Sequence, residues 1–239
     1  MGGNPMTEAM VYDAYLGIQA NGACLALIYD LPGCFARGLD EHEALERLTA
    51  SIPAYFAWLR QHDDYTPTVA GPFRVELHER QRTKQDDAYA TGVFFAPDGE
   101  PVSNEDLDWL LALLGWAYAD LRDRMQAQEE VDLHSAGAAS QAPLQRLVHL
   151  MAAQQWLLAM LSEAPAPAPT TQPSLATLHE WLARDIPAQI ARFQQTDETA
   201  RQQIIERDGV RWSMRKVLTR SILLARDYDR ILAEVFGAR

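Results

Sequence analysis

Trp212–Ile231 reads WSMRKVLTRSILLARDYDRI, and the second half of the chain is organised around it. The stretch reads as one continuous helix that begins at Trp212-Ser213. On such a helix Leu224 and Tyr228 lie one turn apart, on a face shared with Ser221 and Met214. Asp227 and Asp229 point about 100° to either side of Tyr228 and belong to other faces. The helix is also basic. Residues 201–239 hold nine basic side chains (Arg201, Arg207, Arg211, Arg215, Lys216, Arg220, Arg226, Arg230, Arg239) against five acidic ones (Glu206, Asp208, Asp227, Asp229, Glu234).

That tail carries +4 within a chain of net charge −12, which leaves −16 on the remainder. Nucleic-acid binding is not expected, because neutralising phosphates needs surplus Lys and Arg. The basic helix is expected to pair with acidic helices of its own bundle or of a second subunit. With 48% hydrophobic and 23% charged residues in 239, the composition suits one large or two ordinary domains, each with a full core. There is no apolar run of about 18 residues and no signal-peptide pattern at MGGNPMTEAM, so a cytoplasmic protein with no membrane partner is expected. Cys24 and Cys34 do not form a Cys-x-x-Cys motif, which gives neither a disulfide framework nor a zinc site.

Upstream of the basic helix the periodicity stays helical. Ser103 caps a helix to about Glu130, with Leu107, Leu110, Leu111, Leu114, Ala117, Leu121 and Met125 on one stripe. Asp132–Gln141 is a polar connection, and Pro143 suits a first helical position. The next helix turns Leu144, Leu147, Val148, Met151, Leu158 and Leu161 inward. Glu163–Pro173 (EAPAPAPTTQP) reads as extended and exposed. Ser174 caps a third helix to about Thr199, with Leu175, Leu178, Leu182, Ile186, Ile190 and Phe193 inward and a bend at Pro187. Asp208-Gly209 breaks the chain before the fourth helix. Trp109, Trp116, Trp156, Trp181 and Trp212 are expected to anchor helices to one another; exposed together, they would mark an interface. Asp120, Arg122, Asp123 and Arg124 read as a solvated face.

The four helices of residues 103–236 resemble the DinB-like four-helix bundles. In that family the second helix usually carries a metal-binding His, a Glu five residues later and an aromatic residue two beyond. The matching residues are His149, Gln154 and Trp156. The family's last helix usually bears two further metal-binding histidines four residues apart. There Trp212, Ser213, Arg215, Lys216, Val217 and Leu218 match, but Leu224 and Tyr228 replace the histidines. Catalytic divalent-metal sites typically use three protein ligands, and His149 alone supplies one, so no metal and no cofactor is expected. Two readings of His149, Gln154, Leu224 and Tyr228 stand. The face is core, with Tyr228 donating its hydroxyl to His149 or Gln154, or it keeps a small polar pocket that binds an organic ligand without metal.

The first half starts in β mode. Met10–Gln19 and Ala23–Asp30 flank the hairpin signal Asn21-Gly22, and a short third strand, Cys34–Gly38, follows the turn at Leu31-Pro32-Gly33. Asp40 caps a helix with Glu43 three residues on, and Ala44, Leu45, Leu48, Ile52, Tyr55, Phe56 and Leu59 recur at helical spacing. Pro53 is expected to kink or split that helix. Phe73–His78 alternates as a half-buried strand, and Tyr89–Phe95 reads as a further one, ended by Asp98-Gly99.

Asp30, Leu31, Pro32, Gly33, Cys34, Gly38, Asp40, Glu43 and Ala44 together resemble the HicB-like family over about residues 10–80. The resemblance implies a small sheet with one helix across it. Many HicB-like proteins are antitoxins with a DNA-binding segment, and no such basic segment follows here. Cys34 reads as a small buried hydrophobe. His42, His62, His78, His134 and His179 have no ligand spacing and read as solvated. No nucleophile elbow, phosphate-binding glycine loop or His-Glu-x-x-His motif is present.

The expected architecture is an α+β domain over 1–98, with a small antiparallel sheet and a helix, followed by an all-α four-helix bundle over 99–239. The expected role is a non-catalytic binding or regulatory protein with a degenerate metal site, able to form a homodimer or take a small-molecule or protein partner. Two alternatives stand: a DinB-like metal-dependent thiol transferase or hydrolase with an unusual ligand set, and an antitoxin-like protein that captures a small basic toxin.

Overall fold

In the computed structural model, which describes residues 9–63, 72–84, 89, 91–127, 143–161 and 175–237, Asn21-Gly22 turns the chain back as expected. Gly22 takes φ +91°, and the Asn21 side chain accepts the Ala23 amide at 2.9 Å. β1 (Met10–Ile18) and β2 (Cys24–Ile28) therefore pair antiparallel, with Ala14 opposite Ile28 and Ile18 opposite Cys24. The turn at Leu31–Cys34 is closed by the Cys34 amide donating to the Leu31 carbonyl at 2.8 Å, with Gly33 at φ +88°. Pro followed by a positive-φ Gly is what a type II turn requires. β3 (Phe35–Gly38) then pairs antiparallel with β2.

α1 (Glu41–His62) starts where the capping pattern places it. Asp40 accepts the Glu43 amide at 2.9 Å, and the Glu43 carboxylate reaches back to the Leu39 amide at 2.5 Å. Its buried stripe is Ala44, Leu48, Ile52, Tyr55, Phe56 and Leu59. Pro53 does not split the helix. The residue sits on the exposed face, where water can meet the carbonyl that proline leaves without a donor. The Tyr55 hydroxyl donates to the Pro32 carbonyl at 3.1 Å, which ties helix to turn.

β4 (Phe73–Arg82) corrects the expected sheet. It pairs with β1 in parallel, so the order β3-β2-β1-β4 is mixed rather than antiparallel. A helix crossing a sheet face returns the chain to the end at which it started, which makes the next strand parallel. A register shift opposite Ala14/Tyr15 then swaps the faces of β4. After it, Arg80 reaches Glu41 on the α1 side at 3.2 Å. Gln81 lies on the opposite side. Its amide both donates to the Phe94 carbonyl (2.7 Å) and accepts the Phe94 amide (3.1 Å). Residues 91–95 are therefore not the expected strand. One side chain replaces the ladder and brings Phe95 beside Tyr15, with ring centroids 5.7 Å apart.

The chain divides into two compact units, residues 1–95 and 96–239. The second opens with a 3-10 turn (Ala96–Gly99) and α2 (Asn104–Gln126), whose Ser103 cap accepts the Asp106 amide at 3.0 Å. All seven residues of its expected stripe are buried. α3 (Pro143–Ala159) begins at the expected proline. Leu147 and Met151 face inward as expected, and Leu150, Gln154 and Leu157 share that buried face. The expected polar connection at 132–141, the Pro/Ala segment at 163–173 and the Ser174 cap lie outside the described residues.

The expected third helix is broken into pieces. α4 (Leu175–Glu180) runs into a π-helical turn (Trp181–Asp185) and then α5 (Ile186–Gln194). In the π turn the Ile186 amide donates to the Trp181 carbonyl, five residues back. Pro187 is the cause: without an amide, and with a ring that crowds the preceding turn, it forces the helix to widen. After α6 (Glu198–Arg201) comes a two-stranded hairpin, β5 (Ile204–Arg207) and β6 (Val210–Ser213). Asp208 (φ 52°) and Gly209 (φ 73°) make its turn, the paired positive-φ conformation that Asp-Gly favours. Trp212 and Ser213 thus end a strand, and α7 (Met214–Gly237) starts two residues later than its sequence suggests. α7 packs against α2 and α3, and α2 also meets α5. Among the described residues no helix is long and apolar enough to cross a membrane.

Gly38 shows why the first unit tolerates little change at its turn. A Cβ there would stand 2.3 Å from the Ala44 amide nitrogen and 2.8 Å from the Asp40 carbonyl oxygen, both backbone atoms. Gly38→Ala is expected to destabilise the fold by about 1–3 kcal/mol, the usual range for overpacking, as read from chemical denaturation. An unchanged midpoint would show that α1 does not approach β3 this closely.

Candidate functional site

The first turns of α7 gather polar groups that the apolar stripe conceals. Ser213 caps the helix by accepting the Lys216 amide at 3.1 Å, and its own hydroxyl donates to the Asp98 carbonyl. One turn on, Arg220 meets the Asp98 carboxylate at 3.6 Å, and both side chains are fully buried. Lys216, also fully buried, donates to the Arg211 carbonyl at 2.9 Å, and its ammonium stands 4.1 Å from the Trp212 ring centroid. Trp156 of α3 packs edge-on against that ring at 5.3 Å. Residues 213, 216 and 220 recur at helical spacing; Ser213 and Arg220 reach Asp98 in the 3-10 turn, while Lys216 between them turns to the Arg211 carbonyl.

Beside this face Arg215 spans the same segment. It donates to the carbonyls of Glu100 (3.3 Å) and Pro101 (2.8 Å) and to the Asp106 carboxylate (2.7 Å). The Asp106 carboxyl lies below the usual carboxylate range. Burial pushes it up, and hydrogen bonding from Arg215, the Arg215 charge and hydrogen bonds from Ser103 together outweigh that. At the far end of α7, Arg124 of α2 grips Asp229 with two bonds of 2.5 and 3.0 Å. Arg124 therefore does not belong to the solvated face expected of it, although Arg122 and Asp123, paired at 3.0 Å, do. Arg230 holds the buried Asp227 at 2.8 Å. Arg215 and Arg220 of the basic helix thus meet Asp106 and Asp98 of their own unit, one of the two pairings expected of it, while Asp227 and Asp229 are acids of the helix itself.

The residues matched to a degenerate metal site are distributed differently. Gln154 is buried and donates to the Ser221 hydroxyl at 3.0 Å. Leu224 is buried in the same helix as Ser221, and Tyr228 is half-buried one turn further. His149 is exposed. The reason is geometric: five helical residues rotate a side chain by about 140°, so His149 leaves the face that carries Gln154. The interior partner of Gln154 is Ser221, and the imidazole stands outside. Among the described residues no three His, Cys, Asp or Glu side chains gather closely enough to hold a metal ion.

Asp98, Lys216 and Arg220 were not singled out by sequence. Asp98 read as a turn residue beside Gly99, and the two cations as part of a basic helix expected to pair with acidic helices, with no individual partner assigned. The available signal was positional: Lys216 and Arg220 are one turn apart, flanked on the helix by Val217, Leu218, Ser221 and Leu224, all buried. Of the tryptophans, Trp181 and Trp212 are buried anchors, while Trp156 is 46% exposed and so packs only one edge.

Two consequences are measurable. Removing one partner of a buried ion pair strands the other, so Asp98→Ala or Arg220→Ala should each cost about 3–5 kcal/mol, while Asp98→Leu with Arg220→Met should recover most of that. Equal losses in the single and double variants would show that the pair is not coupled. The second consequence concerns acid. A carboxyl with a depressed folded-state pKa contributes stability that is fully present above its unfolded value, about 3.9, and is lost as pH falls through the lower folded value. Asp106→Asn should therefore lower stability at neutral pH, and its difference from the parent should shrink on acidification below about pH 4. A difference that grows with acid would reverse the assignment.

Comparison of the chain with protein-family models, with curated proteins and with solved structures returned no match.

Proposed function

We propose that this chain is a non-catalytic binding or regulatory protein that works in the cytoplasm. In this reading a HicB-like α+β module precedes a four-helix bundle of the DinB-like kind, built from α2, α3, the α4–α5 helix and α7. The observation that carries the reading is how the α3–α7 interior is filled. Where a metal-binding bundle would converge imidazoles and carboxylates, a Gln154–Ser221 hydrogen bond and the Leu224 side chain occupy the space, and His149 stands on an exposed surface. A neutral amide and a hydroxyl are poor ligands for a transition metal in water, whereas they serve well to fix the register of two packed helices.

The buried cations support the same reading. Lys216 and Arg220 are already engaged, by the Arg211 carbonyl with the Trp212 ring and by Asp98. Groups held this way stabilise a fixed packing and are not poised as a general acid or base facing a substrate. Self-association, or capture of a small molecule or protein, is the activity left to such a scaffold.

Metal analysis of the purified, dialysed protein tests the proposal. Zinc, nickel and manganese are expected well below one ion per chain, with thermal stability unmoved by a chelator. One tightly held ion per chain, with a fall in stability on chelation, would overturn it in favour of a metal-dependent thiol transferase or hydrolase with an unusual ligand set.

A further inference from the structure

The sheet of the first unit has two edges, β3 and β4, and they are finished differently. β3 is four residues long, and the Arg47 guanidinium donates to its Arg37 carbonyl at 3.1 Å. That edge is closed to a further strand by its brevity and by a side chain already bonded there. β4 has no such cover. The Met10 amide donates to the Pro72 carbonyl at 3.1 Å, and along a strand successive residues turn their N–H and C=O to alternate sides. Arg74 and Glu76 therefore bond to β1, while Phe73, Val75 and Leu77 point both groups away from the sheet. Among the described residues no backbone group pairs with those outward groups. A regular, unpaired edge is a template for another strand. The regular stretch ends at Leu77, where the register against β1 shifts.

The side chains of this stretch select the occupant. Arg74 and Glu76 lie on one face, joined at 2.7 Å, and each is more than half exposed. Glu76 also stands opposite Asp13 of β1, a like-charged neighbour that a second cation would offset. Phe73, Val75 and Leu77 are half-buried on the other face, which α1 leaves largely open by packing mainly over β3 and β2. A second copy, antiparallel about a two-fold axis at Val75, answers each feature. The two Val75 residues exchange both backbone bonds, Phe73 does so with Leu77 of the second copy, and Arg74 stands opposite Glu76 of the second copy. An axis one residue away, at Arg74 or Glu76, would set like charges face to face.

We infer that the chain forms a homodimer by antiparallel pairing of Phe73–Leu77 with the same stretch of a second copy, which joins the two sheets into one. The inference deepens the self-association named in the proposed function and rests on that part of it. Its failure is distinguishable, because metal analysis decides the metal-free reading whatever the oligomeric state.

Sedimentation velocity of the full chain over a concentration series reads the dimer, and a monomer–dimer equilibrium is expected. Glu76→Arg and Arg74→Glu each set like charges opposite one another across the axis, and each should weaken dimerisation roughly tenfold or more. Mixed together, the two variants should form a heterodimer, because one then brings only cations to the seam and the other only anions. Val75→Pro removes the central outward amide without removing a bond to β1, and should give monomer. Circular dichroism and melting like the parent's establish that each variant is folded, and the charge variants decide the matter if Val75→Pro does not fold. A parent that stays monomeric at every concentration, single charge variants that dimerise like the parent, or a mixture that forms no heterodimer would each overturn the inference.

Discussion

The grip of α7 on the segment before α2 sets the geometry of the helical unit. Asp98 and Arg220 lie out of water at 3.6 Å, Ser213 donates to the Asp98 carbonyl, and Arg215 spans Glu100, Pro101 and Asp106. Taking two charges out of water costs several kcal/mol, and only well-placed partners offset it. The arrangement therefore permits one axial position of α7 against the 3-10 turn. A helix slid by one residue would carry Arg220 away from Asp98 and Ser213 away from its carbonyl. Once that position is set, Val217, Leu218, Ile222, Leu223 and Ala225 are placed to fill the core, and all are buried.

The first unit solves a different problem. Its parallel edge strand needs a helical crossover, and α1 supplies it by close backbone approach to the sheet. Gly38 lets the start of α1 touch β3, and Tyr55 secures the helix to the Pro32 carbonyl. On the opposite face, the Gln81 amide stands in for a strand and sets Phe95 against Tyr15 and Tyr29. An amide side chain sets an N–H donor and a carbonyl acceptor at the spacing of a peptide group, which is why it can replace a rung of the ladder, and its second N–H here donates to Glu79.

The two units also differ in how they satisfy their buried polar groups. Inside the helical unit Gln154 Nε2, Ser213 and Lys216 have partners that fix the packing, whereas the Tyr118 hydroxyl, the Trp181 indole nitrogen and Gln154 Oε1 have no hydrogen-bond partner among the described residues. Among the described residues no set of metal-binding donors converges, and the π turn immediately precedes Ile186-Pro187.

Much of this was written in local sequence. Asn21-Gly22, Leu31–Cys34, the Asp40 and Ser103 caps and the stripe of α2 all depend on residues within one turn of one another, so periodicity and turn chemistry determined them. The parallel pairing of β4, the Gln81–Phe94 bridge and the burial of Lys216 and Arg220 were decided only by tertiary structure. Each depends on a partner far along the chain: the Arg220–Asp98 pair joins residues that no local pattern links. The hairpin at 204–213 fell between these cases, because its Asp-Gly turn was legible while four-residue strands are too short to alternate visibly. The candidate site divides in the same way. Sequence put His149 and Gln154 in one motif, and helix rotation placed one outside and the other in the core, because side-chain direction follows from packing and not from spacing alone.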